Sequence, residues 1–251
     1  MKNVIHWFRR DLRVTDNTAL DAAVQRSESV TTVYILSKWK KNHRWTGPNR
    51  QHFLCGSLAS LASNLESIGG RLVIRQGDAV AELEKLAVET QAEALFFNRD
   101  PDPFGRGVED RLQKMGARLG ISIQPFKDVA IHERDEVLNG GGEPFRVFTP
   151  YSKAWAKLPK PTIAKRISRI QSPSGIFSLP LPDKSTWDLT SAAGGVLEAG
   201  ETAARLRMQA FLDSGLARYG AMRNLPAGRT TSRLSQDLRF GLISIRELHR
   251  A

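Results

Sequence analysis

Short apolar runs alternate with helix-length amphipathic stretches through the first half of the chain. Val4 to Phe8, Val30 to Leu36, Leu72 to Ile74, Ala94 to Phe97 and Ile121 to Phe126 are rich in β-branched or aromatic residues, which predicts five strands. Between the second and third, Phe53, Leu54, Leu58, Leu61, Leu65 and Ile68 recur at three- and four-residue spacings. They predict a helix from Pro48 to Ile68 that Gly69-Gly70 closes. Ala79 to Thr90, behind the cap candidate Asp78, and Gly107 to Leu119 predict two more. Strands separated by helix-length segments pair in parallel through right-handed crossovers. The expected fold class is therefore α/β, an open, doubly wound, five-stranded parallel sheet of Rossmann-like type, with function at the carboxyl ends of its strands.

After Phe126 the pattern changes. Asn139-Gly140-Gly141-Gly142 is a turn, and Pro159 to Asp183 is rich in proline and serine without periodicity, as expected of a long interdomain connection. Glu198 to Tyr219 predicts one strong helix with Leu206, Ala210, Leu212 and Leu216 as its apolar face. Ser244-Ile245-Arg246-Glu247 is a capping box opening a helix that the sequence leaves after two turns, too few to be stable alone. The expected organisation is an α/β domain over residues 1–130, an interdomain linker over 131–197, and the truncated beginning of an all-helical domain over 198–251.

With 251 residues of which 41% are hydrophobic, the chain can bury a core in one large or two modest domains. Its single cysteine, Cys55, excludes an internal disulfide framework and zinc sites built on paired thiolates. No stretch approaches the ~18 apolar residues of a membrane span. The first ten residues hold too short an apolar run for a signal peptide, so a cytoplasmic location is expected. The net charge of +11 points to a polyanionic partner such as nucleic acid. Residues 1–130 carry 19 basic and 15 acidic side chains; residues 131–251 carry 18 and 11. Between Glu143 and Asp183, Arg146, Lys153, Lys157, Lys160, Lys165, Arg166 and Arg169 meet no acidic residue. Phe145, Phe148, Tyr151 and Trp155 are interleaved with the first of them. A solvated linker whose aromatics dock on a neighbouring domain and a phosphate-contacting surface account for this run equally well.

Much familiar chemistry is missing. His6, His43, His52, His132 and His249 lack the pairwise spacing of a metal site, so no metal is expected. There is no Gly-x-Ser-x-Gly elbow and no Walker loop. The first strand-to-helix turn, where a dinucleotide dehydrogenase carries Gly-x-Gly-x-x-Gly, instead holds Arg9-Arg10-Asp11-Leu12-Arg13-Val14-Thr15-Asp16-Asn17. On residue chemistry alone, Arg10, Asp11 and Arg13 either fix that loop as an ion-pair network, with Asp16 or Asn17 capping the next helix, or contact a ligand.

From Trp7 to Asn17 the sequence resembles the N-terminal signature of the DNA photolyase/cryptochrome family. Further matches follow in order at Gly47-Pro48-Asn49-Arg50, at Asn98 to Arg106, and at Val147-Phe148-Thr149-Pro150-Tyr151 with Trp155. The last is Tyr219, Arg223-Asn224-Leu225-Pro226-Ala227 and Thr231 to Ser235, ending in Leu238-Arg239-Phe240-Gly241. The resemblance implies an N-terminal α/β antenna domain and a C-terminal helical domain that holds FAD, with UV-damaged DNA as partner and no membrane. It further implies a monomer at full length, the missing C-terminal region being supplied covalently or as a separate partner.

By that resemblance Tyr219, Thr231, Ser232, Arg233, Leu234 and Ser235 would lie on the ribityl-phosphate portion of FAD. Hydroxyls, turn amides and a guanidinium are the donors a pyrophosphate needs; a plain helix cap at Thr231 or Ser232 is the lesser alternative, which the spacing from Tyr219 disfavours. Arg223 matches an arginine that contacts DNA phosphate, a role also open to an interhelical ion pair. Asp100 and Arg106 stand in a loop resembling that of members with a deazaflavin as second, antenna chromophore. Phe104-Gly105 replaces the Asn-Glu pair of folate-binding relatives, so deazaflavin is favoured over folate; a rigid turn with its charges in water fits the loop as well. The family's isoalloxazine and adenine pocket, its tryptophan chain and most of its lesion contacts follow the point where this sequence stops. Trp7, Trp39, Trp45, Trp155 and Trp187 therefore do not stand in for that chain. The implied activity is light-dependent, FAD-mediated electron transfer that splits cyclobutane pyrimidine dimers. The alternatives are a cryptochrome-like blue-light photoreceptor and a non-catalytic module that binds a chromophore or nucleotide.

Overall fold

A computed structural model of the chain describes residues 1–37, 47–164, 166–187, 196–225 and 230–251. Five parallel strands, β1 (Asn3–Phe8), β2 (Ser29–Leu36), β3 (Leu72–Gln76), β4 (Ala94–Asn98) and β5 (Ser122–Phe126), form one sheet in the order β3-β2-β1-β4-β5. The chain starts at the centre, builds outward to β3, then returns to the other side of β1. The topological switch point thus lies between the carboxyl ends of β1 and β4. Helices α1 (Thr18–Arg26), α2 (Pro48–Glu66), α3 (Ala79–Thr90) and α4 (Pro103–Leu119) make the crossovers. Val4 and Phe8 face the cluster formed with α1 and α2, whereas Ile5 and Trp7 face that of α3 and α4. That alternation is the period of two expected of a strand buried on both faces.

Local chemistry sets the boundaries. Asp78 caps α3 by accepting the Ala81 N–H, as its sequence position predicts. Helix α4 begins four residues before the expected Gly107, because Asp102 takes the extended cap conformation and Pro103 supplies a pre-set φ at the first helical position. Arg106 therefore sits on a helical turn and not in a loop.

Residues 159–183 form no regular element, yet they lie along the sheet. Ile167, Ile170 and Ile176 are buried. Edge strand β3 donates from the Ile74 N–H to Ser178 Oγ (2.9 Å) and accepts the Leu179 N–H at 2.9 Å, so its outer edge is covered. Between Leu138 and this strap runs α5 (Phe148–Lys157).

The expected helix from Glu198 to Tyr219 is two helices, α6 (Glu201–Ser214) and α7 (Leu216–Met222), parted at Gly215 where the Phe211 ring closes over the backbone. Of the predicted apolar face, only Leu212 packs against the core. Ala203, Ala204 and Met208 are buried, while Leu206 is 66% and Leu216 51% exposed. The docked side is chosen by Glu201, a buried carboxylate that accepts the Val14 N–H at 3.0 Å and the Thr15 N–H at 3.2 Å. Helices α8 (Ser235–Phe240) and α9 (Ile245–Arg250) complete the chain, and both hydrogen bonds of the capping box at Ser244 and Glu247 form.

Candidate functional site

The turn after β1 is a buried polar knot. Asp11 accepts the Arg9 N–H at 2.7 Å and the Asn98 Nδ2 at 2.7 Å, and Asn17 caps α1 through the Leu20 N–H. Arg13 forks onto Asp128 at 2.7 and 2.8 Å, and Arg246 of α9 reaches the same carboxylate at 2.7 Å. Asp16, in the left-handed region at φ 49°, accepts from Ser244 Oγ, from Arg246 Nε and from the Ala164 N–H. The turn is fixed by polar bonds, but not by the three expected residues pairing with one another: Arg13 pairs with Asp128, Asp11 accepts from Arg9 N–H, Asn17 and Asn98, and Asn17 is the cap. Both flanking guanidiniums hold the Asp128 carboxyl below its ordinary range against the opposing effect of burial.

At the switch point itself, Arg9 lies over Trp7 and Phe97, bonds the Asn98 carbonyl at 3.2 Å and pairs with Glu109. The crevice between β1 and β4 is filled by protein. Above it, Arg10 ties the turn to Asp100 (2.9 Å) and Asp102 (3.3 Å). Asp100 is thus engaged, whereas Arg106 is exposed and has no carboxylate partner among the described residues.

Beside this knot an open groove of about 690 Å³ runs between the start of α2 and the turn into α8. Asn49, Arg50 and Phe53 form one wall; Thr231, Arg233, Ser235, Gln236, Arg239 and Phe240 form the other. Three guanidiniums line it and, among the described residues, no carboxylate does. Neither Thr231 nor Ser232 caps α8, whose cap position is Leu234 with no side-chain bond. The hydroxyls of Thr231, Ser232 and Ser235 have no partner among the described residues, and Thr230 Oγ1 is buried without one. This donor set fits a pyrophosphate, with Phe53 and Phe240 offering an apolar flank. Leu234 is buried in the core, so only its backbone can face a ligand. Tyr219 and Arg223 are not in the groove. They stand together at the end of α7, Arg223 as its C-cap with the guanidinium 6.0 Å over the Tyr219 ring, and Arg223 has no carboxylate partner among the described residues. Pro226, Ala227, Lys165, His43, Trp39 and Trp45 lie outside the described residues. A larger hollow of about 820 Å³, at the 139–144 turn and the start of α5, contains none of the expected site residues.

Residues 4–168 match the family model of DNA photolyase. The chain belongs to the DNA photolyase family. It is 34% identical to the deoxyribodipyrimidine photo-lyase of a Synechococcus strain over 99% of this chain and 53% of the relative. It is 30% identical to cryptochrome-1 of Arabidopsis thaliana over 97% of this chain and 37% of the relative. The crystal structure of a bacterial class III photolyase from Agrobacterium tumefaciens superposes with a TM-score of 0.88 at 32% identity, covering all of this chain and 52% of that one. The chain spans about half the length of the photo-lyases it matches.

In this family member the signature turn is a joint between sheet and helices. The sequence singled out Gly47-Pro48-Asn49-Arg50 as a motif without assigning it to a site. Gly47 and Pro48 are the cap and first residue of α2, which brings Asn49 and Arg50 to the groove. Arg239 was likewise part of a motif only; its position about one turn after Ser235 places it on the groove wall with that residue.

One group in the sheet predicts a pH dependence. His6 is fully buried with both ring nitrogens unpartnered, and burial, partly offset by the Asp128 charge, lowers its pKa to about 3. Between that value and the unfolded value near 6.5 the unfolded chain takes up a proton that the folded chain refuses. Stability therefore falls as pH drops through this window, by up to about 1.4 kcal/mol per pH unit. Asp11, whose carboxyl burial pushes up, acts in the opposite direction at the acid end. Urea unfolding at pH 6.5 and pH 5 is expected to show a loss of roughly 2 kcal/mol, and His6→Leu to flatten it. An equal slope in the variant would assign the effect elsewhere.

Proposed function

We propose that this chain is the N-terminal part of a light-dependent DNA photolyase that binds FAD and acts on cyclobutane pyrimidine dimers in UV-damaged DNA. The observation that carries the reading is the groove at Thr231, Arg233 and Ser235, where hydroxyls without a partner among the described residues meet three guanidiniums, one of them, Arg239, also 3.7 Å from Asp102. When bound, FAD supplies light-driven one-electron chemistry. The residues of this chain hold it: Thr231 and Ser235 donate to the pyrophosphate oxygens, and Arg233 neutralises their charge. Ser232, Tyr219 and the Leu234 backbone complete the set by family resemblance. Arg223, exposed and without a carboxylate partner among the described residues, is suited to a DNA phosphate. Asp100 and Arg106 are assigned to the edge of a second chromophore, deazaflavin in preference to folate, supported by Phe104, 73% exposed, where folate-binding relatives are polar.

The test uses the 251-residue chain, with FAD binding followed by flavin fluorescence and DNA binding followed across salt concentrations. Thr231→Ala with Ser235→Ala is expected to weaken FAD by about tenfold or more, two lost charge-assisted bonds. Arg223→Ala is expected to leave FAD unchanged and to lower the salt slope of DNA binding by about one. FAD affinity indifferent to the double substitution would overturn the site. The similarity to cryptochrome-1 supports a second reading, a blue-light photoreceptor; DNA binding that ignores both dimers and Arg223 would favour it. Illuminated with dimer-containing DNA, the chain by itself is expected to leave the lesions intact, because the groove is open and cannot enclose an extruded base.

A further inference from the structure

The groove has walls from two parts of the chain, Asn49, Arg50 and Phe53 on α2 and Thr231, Arg233 and Ser235 at the turn into α8. Its width is therefore set by how α8 docks. With six residues, α8 is about 9 Å long and has no stability of its own, so the contacts that grip it decide where it lies: Arg207 of α6 holds its buried Asp237 from one side at 3.0 Å, and its end is held separately. Its carboxyl end is gripped by the turn after β1. The Leu12 N–H donates to the Phe240 carbonyl at 3.1 Å. Arg13 donates from Nη1 to the Gly241 carbonyl at 3.1 Å while Nη2 forks onto Asp128. From the other side the Phe240 ring lies 5.3 Å from that of Phe53, tying the same turn to α2. Arg13 is 1% exposed and is not in the lining of this groove; with Asp128 it lines an adjoining hollow of about 350 Å³ that shares Ser235 and Arg239 with it, so its hold on a ligand in the groove itself runs through α8.

We propose that Arg13 is a positioning residue: by clamping Gly241 to Asp128 it sets the span between Arg50 and Ser235 across which an anionic ligand is held. The ligand half of this statement rests on the flavin reading above; the clamping half does not. Arg13→Lys keeps a cation beside Asp128 but loses the planar fork that reaches two partners at once. Phe53→Leu loosens the same turn from α2 and serves where the lysine variant fails to fold.

Amide hydrogen exchange and FAD titration of the full 251-residue chain test the two halves separately. Leu238, Gly241 and Leu242 all donate backbone bonds within this turn, so their exchange reports the clamp directly. In Arg13→Lys these amides are expected to exchange about tenfold faster while those of β1 and β4 are unchanged, and FAD to bind about tenfold more weakly. Faster exchange spread evenly over the sheet, or none at all, would show that Arg13 only stabilises the α/β unit and would overturn the proposal. Unchanged FAD affinity with a loosened α8 would overturn it equally. Where the parent chain binds no FAD, the flavin reading fails by itself and the exchange pattern still decides the clamp.

Discussion

Asp128→Ala is expected to cost about 3–5 kcal/mol, a large part of the roughly 5–15 kcal/mol by which a domain is stable. Asp128 is 3% exposed and accepts from Arg13, from Arg246 and, at 3.3 Å, from Thr18 Oγ1. Its removal leaves two guanidiniums without their shared counter-charge, each buried to within a few per cent. Neither can turn to water, because Arg13 is also held by the Asp16 and Gly241 carbonyls and Arg246 by Asp16. The loss comes mainly from the buried Arg13 charge, which keeps no carboxylate partner among the described residues, and less from the broken bonds themselves, since Arg246 retains the Asp16 carboxylate at 2.9 Å. Equilibrium urea unfolding measures it, and a loss below about 1 kcal/mol would mean that the knot contributes little beyond an ordinary surface pair. Asp128→Asn, which keeps acceptors but no charge, is expected to fall between the two. α9 should be the first element to detach in either variant, since Arg246 and Ser244 are its links to the sheet.

Gly241→Val is expected to release the last two helices while leaving the sheet folded. Gly241 sits at φ 65°, in the left-handed region where a β-branched residue is strained, and closes α8. Space is the greater obstacle. A Cβ here would overlap the Arg10 carbonyl oxygen and come within 2.5 Å of the Asp11 Cα, both backbone atoms of a turn that Asp11, Asn17 and Asn98 hold rigid. The neighbour cannot give way, so α8 must move. Limited proteolysis is expected to cut near residues 230–241 in the variant and not in the parent, with β1 to β5 remaining protected. Gly140→Ala is the control: nothing lies within 4 Å of its Cβ, and a change within about 0.5 kcal/mol is expected. Similar proteolysis of the two variants would show that close approach at Gly241 is not what docks α8.

The strands, the α2 and α3 boundaries and the capping box at Ser244 were legible because each depends on neighbours in sequence: alternation, three- and four-residue spacing, a cap side chain bonding its own helix. The face of α6 was not. Its apolar residues surround the axis, so periodicity offered two sides, and Glu201, a charge that sequence reasoning places in water, chose between them by meeting the Val14 and Thr15 amides. The strap over 159–183 was missed for a related reason. Its isoleucines have no period because they follow the edge of β3, not a regular element of their own.

The sequence by itself determined an α/β sheet, the resemblance that the family match bears out, and the excess of basic charge. Only the tertiary structure decided what the signature turn does. Asp16 and Arg246, with Arg13 and Asp128 between them in space, are 230 residues apart, and such distances meet only when the sheet brings the turns after β1 and β5 beside α9. The same packing sets Asn49 and Arg50 across from Thr231 and Ser235. Local patterns specify elements, because their hydrogen bonds close within a few residues; a groove between two elements is specified by the contacts that dock them, here one glycine and one buried arginine.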